Sequence, residues 1–547
     1  MRLTSTVAAI FGLTASVFAF DPREATIAST HHDLFTGLTT CREVVESFLS
    51  RIEALNNHTN AIQALNPHAL DNADDCDKLL KSNNGTYGPL FGIPVLLKDN
   101  FDTSFMPTTG SSADMAHSQP TVDAPSVATL KKAGAIILGK TILHELALEG
   151  ISVSSLGGQV VNPYDSSRTP GGSSGGTGAA IAASFAVWGT GTDTVNSLRS
   201  PASANSLWSL RPTRGLISRA GVIPISYTQD TIGPIARCVE DVATVLTVMA
   251  SEGYDAKDNV TALVPAGIKD IDYGASLTQG SLKDLRFGIL EGFYNRTASS
   301  ETTPVNDAMD KHIAKLRSAG ATIVPINDTI HDANAIISTL DVQRYEYREA
   351  LTDYLQQPSL SGKHPNSTEE LYAGDNFLVL PSGYEYVTTS LKSSTANETY
   401  AIRQQGIRNL TMALEKTYAS NDLDAIIYPE QKNLVVKLGS PSQSGRNGIL
   451  AALTGSPVVT VPVGFSESTS TAPDGVPIGL EILGRQWTEQ KLLQIAYQMQ
   501  QMSRVRKTPS WAQQKVSARE YESVPTVKPN VANIPSEYPI GQLQTES

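Results

Sequence analysis

The stretch PGGSSGGTGAAIAAS, Pro170 to Ser184, sets two serines between two glycine pairs and runs directly into a helical series of small residues. A glycine-rich turn ahead of a helix aims backbone N–H groups at an anion, so a phosphate cradle is the first reading. The details exclude it. No Gly-Lys-Ser/Thr closes the loop, and the glycines do not fall at G-x-G-x-x-G spacing, so nucleotide binding is not implied. The serines call for other chemistry, because a hydroxyl both donates and accepts a hydrogen bond and becomes a nucleophile only beside a base.

The flanks of this stretch decide the fold class. PLFGIPVLLKDNFDT, Pro89 to Thr103, reads as a buried strand that ends in a polar turn, and strand-like IILGK and helix-like SVATLKKAG alternate around it. That rhythm belongs to an α/β layer fold. Two amphipathic helices, CREVVESFLSRIEAL and ADDCDKLLKS, come earlier in the chain. Strands return in DLDAIIYPE, SPVVTVPVGF and IGLEILG, before a closing helix through EQKLLQIAYQMQQMSRV. Residues 255–420, with turn clusters such as QQPSLSGKHPNSTEE, read as an insertion or cap outside the core sheet. From Lys507, and as a separate tail over 509–547, the chain is Pro-, Ser- and Gln-rich and is expected to lie extended on the surface.

At 547 residues the length alone suggests several domains. Apolar content of 40% with 18% charged residues is ordinary for a globular protein, and a net charge of -12 argues against a nucleic-acid partner. Residues 1–19 have a basic Arg2, an apolar run and a Val17-Phe18-Ala19 end, the pattern of a secretory signal cleaved after Ala19. Thr4, Ser5, Thr6, Thr14 and Ser16 interrupt the run, so it does not read as a membrane span, and no later stretch is long enough to be one. Sequons at Asn57, Asn84, Asn259, Asn295, Asn327, Asn366, Asn397 and Asn409 agree with passage through a glycosylating pathway, and none falls between Gly85 and Asp258. A secreted glycoprotein is the expectation. In an oxidising compartment Cys41 and Cys76 could staple two N-terminal helices, while Cys238 packs as a small apolar side chain.

An exposed serine in a secreted α/β protein suggests a hydrolase, yet none of the nine histidines lies near a plausible nucleophile turn, so a conventional histidine base is unsupported. His144-Glu145 lacks the second histidine of a zinc HExxH site, so no metal is implied. The best-placed base is Lys98, at the end of the apolar strand IPVLLK, where burial would lower its pKa and favour the neutral amine.

These residues fall within an ordered set: GIPVLLKDN, PTTGSS, GAIILGKT, NPYDSSRTPGGSSGG, GTDTVNSLRSPA, LRPTRGLISRAGVIP, DTIGPIAR and PIGLEILGR. In that set the chain resembles the amidase signature family of serine hydrolases, from about Ala25 to Thr508 and most strongly over 87–240. The resemblance implies one large amidase domain over 20–508, with a mixed sheet of about eleven strands covered by helices on both sides. Its catalytic core would span about 87–240 and 420–505. It further implies a Ser-cisSer-Lys triad with Lys98 as base, Ser173 as bridge after a cis peptide, and Ser197 as nucleophile. The backbone N–H groups of Thr194, Val195, Asn196 and Ser197 would form the oxyanion site.

Where the family commonly has a glycine pair before the nucleophile, this chain has Val195-Asn196, and a Cβ at each position narrows the allowed backbone angles. Asp193 and Arg199 could pair with each other to fix the turn, or Arg199 could bind a substrate carboxylate. Thr192 and Ser200 receive no role. Ser174 reads as a supporting or helix-capping hydroxyl, and Glu430 and Asn447 are expected to line an acyl pocket walled by residues 255–450. The implied activity is hydrolysis of a small-molecule carboxamide, a carbon–nitrogen bond other than a peptide bond, without a cofactor. The alternatives are a catalytically silent binding glycoprotein of the same fold and an ammonia-releasing, amidotransferase-like subunit.

Overall fold

A computed structural model describes residues 20–82 and 85–544. The signal reading over 1–19 and the sequon at Asn84 lie outside the described residues. One sheet of eleven strands organises the chain. In sequence order these are β1 (Ile62–Leu65), β2 (Pro94–Lys98), β3 (Ile136–Thr141), β4 (Trp188–Asp193), β5 (Trp208–Arg211) and β6 (Thr231–Ala236). β7 (Arg286–Leu290), β8 (Thr322–Ile326), β9 (Ala425–Pro429), β10 (Val458–Phe465) and β11 (Pro477–Leu483) complete it. Across the sheet the order is β1-β3-β2-β4-β6-β5-β10-β11-β9-β7-β8.

Parallel pairs sit on either side of an antiparallel centre. β2 runs parallel to both β3 and β4, and β7 runs parallel to β8 and β9. The six strands from β4 across to β9 alternate in direction. Helices cover the sheet, so every residue of β2, β3, β4, β9 and β11 is buried, and β2 and β3 accordingly read as continuous apolar runs. The helix Cys41–Leu55 begins with a reciprocal Thr40/Glu43 capping box and buries Val44, Val45, Phe48, Leu49 and Ile52.

Two segments differ from the sequence reading. Residues 255–420 are not wholly outside the sheet, because RFGIL and TIVPI form β7 and β8 at its edge and the helix Thr303–Ser318 packs beside them. β8 at the edge is lightly covered, with Thr322 and Pro325 exposed and only Ile326 buried, whereas β7 is buried except at the half-buried Arg286. Of the helices after this pair, Ala333–Leu340 and Glu398–Asn421 pack in one cluster with Ile426, Val458 and Leu483 of the sheet. The tail beyond 509 is extended but well anchored: Trp511 Nε1 donates to the Pro163 carbonyl at 2.8 Å, Gln159 N donates to Asn533 Oδ1 at 2.8 Å, and Tyr538 is buried.

The helices Cys41–Leu55 and Ala69–Ser82 pack together, and the thiols of Cys41 and Cys76 are unbridged neighbours. Each of the seven described sequon asparagines is exposed. Among the described residues, no helix is long and apolar enough to cross a membrane.

Candidate active site

The stretch from Pro170 to Ser184 is a loop and a helix, Gly175–Ala182, driven into the middle of the fold with every residue of the helix buried. The glycines permit this approach. A Cβ on Gly176 would lie 2.2 Å from the Ile142 carbonyl oxygen, and Gly171 has φ +69° with Ser200 closing on it. Between them the Gly172–Ser173 peptide is cis. The Ser173 carbonyl accepts from His144 N at 3.0 Å, which ties the loop to the chain beyond β3.

β2 delivers Lys98 to this loop. Its Nζ is 2.8 Å from Ser173 Oγ and 2.7 Å from Thr192 Oγ1, and the side chain is wholly buried. Burial pushes its pKa down to about 7, opposed by the more distant Asp193 and Asp230 carboxylates. At neutral pH a large share of Lys98 is therefore the free amine. Thr192, to which the sequence reading gave no role, is the second partner of the amine and also accepts from Asn100 Nδ2 at 3.2 Å.

β4 ends at Asp193, and the chain turns through Thr194, Val195, Asn196 and Ser197 before the helix Arg199–Ala204. Among the described residues, none of the backbone N–H groups of these four positions donates a hydrogen bond within the protein. Leu198 N, by contrast, donates to Asp193 Oδ2 at 3.1 Å. Neither Val195 nor Asn196 has positive φ, so the turn makes no left-handed demand on their Cβ atoms. Ser197 is 8% exposed, and among the described residues its hydroxyl has no hydrogen-bond partner, in particular none at Ser173.

Beneath the turn lies a buried charge cluster. Asp193 receives Arg199 Nε at 3.0 Å and Arg211 Nη1 at 2.6 Å, and Arg199 Nη1 reaches Glu481 at 2.8 Å. Burial would raise the Asp193 pKa, but the two guanidiniums hold it at about 2. Arg199 is fully enclosed, its fork spent on these carboxylates, and so it supplies a brace to the turn and no free group to a ligand.

Glu430 and Asn447 are also buried and do not line an open pocket. Glu430 accepts from Asn196 Nδ2 at 3.0 Å, and Asn447 Nδ2 bonds the Phe293 and Pro429 carbonyls. Ser174 occupies the N-cap position of the Gly175–Ala182 helix without capping it, and its hydroxyl instead meets the Thr192 backbone at 3.4 Å.

A cavity of about 340 Å³ adjoins the site. Thr192 and Thr194 form its inner end, with Ile223, Ile225, Tyr227 and Asp230 among its walls. Only Lys257, Asp258, Gln357 and residues of the helix Gln343–Leu355 come from the region expected to wall it, and the loop preceding β6 supplies the largest share of the lining. A larger cavity of about 680 Å³ around Cys76, Tyr87 and Phe91 shares no residue with this site. Among the described residues, no group of three or more His, Cys, Asp or Glu side chains could hold a metal ion.

The Amidase family model matches residues 43–493. A glutamyl-tRNA(Gln) amidotransferase subunit of Acinetobacter baumannii is 32% identical over 485 residues, 84% of this chain and 92% of that protein. Native peptide amidase from Stenotrophomonas maltophilia superposes with a TM-score of 0.75 at 32% identity, covering 89% of this chain and 98% of its own. An amidase family protein from Bacillus anthracis gives a TM-score of 0.75 at 27% identity over 89% of this chain and 92% of that one. With that span of matched sequence and the same mixed sheet, the chain belongs to the amidase signature family of enzymes.

Proposed function

We propose that the protein is a secreted amidase that cleaves a small-molecule carboxamide through an acyl-enzyme on Ser197. The observation that carries this reading is the buried Lys98 amine, depressed to about 7 and 2.8 Å from Ser173 Oγ, beside a turn with four unspent N–H groups. In the first step Ser197 Oγ attacks the carbonyl carbon, its proton passes to Ser173 Oγ, and the Ser173 proton passes to Lys98 Nζ. The N–H groups of the turn stabilise the oxyanion, each such donor contributing about 3–4 kcal/mol. Lys98 ammonium returns its proton through Ser173 to the leaving nitrogen as the C–N bond breaks, and water then repeats the sequence on the ester. The relay requires Ser197 Oγ to close on Ser173 Oγ, a contact of the kind that commonly tightens when substrate binds.

Secretion is supported by the Arg2-to-Ala19 pattern and by the exposure of the seven described sequon asparagines. Phe20, the first residue of the expected mature chain, packs against Phe48 with ring centroids 6.0 Å apart. In an oxidising compartment the neighbouring Cys41 and Cys76 thiols form a disulfide. A second reading, ammonia release in the manner of an amidotransferase subunit, draws on the 32% identity to the Acinetobacter baumannii protein. The deciding experiment exposes the secreted, deglycosylated protein to a fluorophosphonate and maps the adduct, with Ser197→Ala as control. An adduct on Ser197 that is absent from the control supports the hydrolase. A folded protein that takes up none points to the silent glycoprotein, and acylation that needs a partner chain points to the amidotransferase.

A further inference from the structure

The turn before Ser197 is held by two handles that leave its N–H groups unused. The Val195 carbonyl accepts from Arg199 Nη2, and the Asn196 side chain donates to Glu430 Oε1 at 3.0 Å, across 234 positions of sequence. Glu430 is itself rigidly placed, because its N–H donates to Gly479 O at 3.1 Å and its carbonyl accepts from Asn447 N at 3.2 Å. The Asn447-Gly448 segment closes the space between: a Cβ on Gly448 would lie 2.2 Å from the Val195 carbonyl oxygen and 2.6 Å from Asn196 Cβ.

We infer that Glu430 is a positioning residue for the reaction, its carboxyl gripping the Asn196 carboxamide and thereby aiming the N–H groups of Asn196 and Ser197 at the developing oxyanion. The inference rests on the oxyanion role given to this turn above. It assigns to Asn196 a task that a side chain at this position can perform and a glycine cannot.

The protonation of Glu430 is set by its surroundings. Glu481, Arg199 and Asp193 surround it, with Arg211 one contact further away on Asp193. The two guanidiniums are matched by the carboxylates of Asp193 and Glu481, which they bond directly, whereas among the described residues no cation bonds Glu430. Burial and the Glu481 charge therefore push Glu430 up to about 8, burial raises Glu481 in the same direction, and with one of these two carboxyls protonated the cluster has no net charge. Ionisation would place a negative charge directly behind the groups that must stabilise another, so the rate falls as pH rises through that value.

The test follows the rate of fluorophosphonate labelling at Ser197 in the full-length protein across pH of about 6 to 10. Glu430→Ala is expected to slow labelling at neutral pH by about 10- to 100-fold. Glu430→Gln keeps an acceptor for Asn196 and is expected to recover most of that loss while removing the alkaline decline. Asn196→Gly cuts the same bond from the other side, so its loss and that of Glu430→Ala should not multiply in the double variant.

Wild-type labelling in Glu430→Ala, independent losses in the double variant, or an unchanged alkaline limb in Glu430→Gln would each overturn the inference. Should Glu430→Ala fail to fold by circular dichroism, the Gln profile and Asn196→Gly decide the matter. A wild type that takes no label sinks the hydrolase reading itself, whereas a reactive wild type with an indifferent Glu430 sinks only this inference.

Discussion

Lys98 Nζ and Ser173 Oγ, contributed by β2 and by the loop ahead of the Gly175–Ala182 helix, lie 2.8 Å apart with both side chains fully buried. Burial makes the ammonium costly, and the amine that the proposed mechanism uses as base is the form that burial favours. Activity should therefore rise with pH through about 7, as Lys98 loses its proton. A kcat/KM profile for any amide or ester the enzyme accepts checks this, and an acid limb well away from that value would assign the base elsewhere. Lys98→Met and Ser197→Ala should each lower kcat by about 10³-fold or more.

The same burial has a stability signature. Folded Lys98 has its pKa lowered from 10.5 to about 7, so between these values the unfolded chain binds more protons and stability from this group is lost as pH falls. Lys98→Met removes that cost. Its melting temperature should exceed that of the wild type at pH near 7, with the gap closing at alkaline pH, as measured by calorimetry at several pH values.

Thr192 accepts from Lys98 Nζ at 2.7 Å and so favours the ammonium. Thr192→Val should shift the acid limb of the rate profile to lower pH and reduce kcat by about 10-fold, since the amine loses the second of its two anchors. An unmoved limb would mean that Thr192 does not contact the base in solution.

Arg199 is bonded to both Asp193 and Glu481, and all three side chains are fully enclosed. Arg199→Met strips the buried Glu481 of its cation and leaves Asp193 with Arg211 alone, and should cost about 3–5 kcal/mol in urea unfolding. A wild-type midpoint would show that the cluster is not what braces the turn.

Gly176→Ala would bring a methyl group to 2.2 Å from the Ile142 carbonyl oxygen, against backbone that β3 holds in place. A loss of about 1–3 kcal/mol or more is expected in the same assay, with slower Ser197 labelling because the displaced helix begins two residues after Ser173.

The sequence by itself determined the parts whose physics is local. Apolar runs such as PVLLK and IILGKT announce buried strands because both faces are covered, and the Thr40/Glu43 box marks a helix start within four residues of chain. The ordered motifs around Lys98, Ser173 and Ser197 identified the family through residue types at fixed places along the chain. Tertiary structure alone decided what depends on close approach. β4, which carries Thr192 and Asp193 into the site, reads WGTGTD and looks like a loop, because Gly189 and Gly191 are stripped of side chains where Thr177 and Ser174 press against the strand. The pair β7 and β8, two five-residue strands amid polar turns, joins the sheet only through the parallel pairing of β7 with β9, more than 130 residues further along the chain. The bond from Asn196 to Glu430 joins positions 234 residues apart, and Arg199 is claimed by Asp193 next to it and Glu481 at the far end of the chain. Such partners are brought together by strand order in the sheet, and no local pattern in the sequence encodes that order.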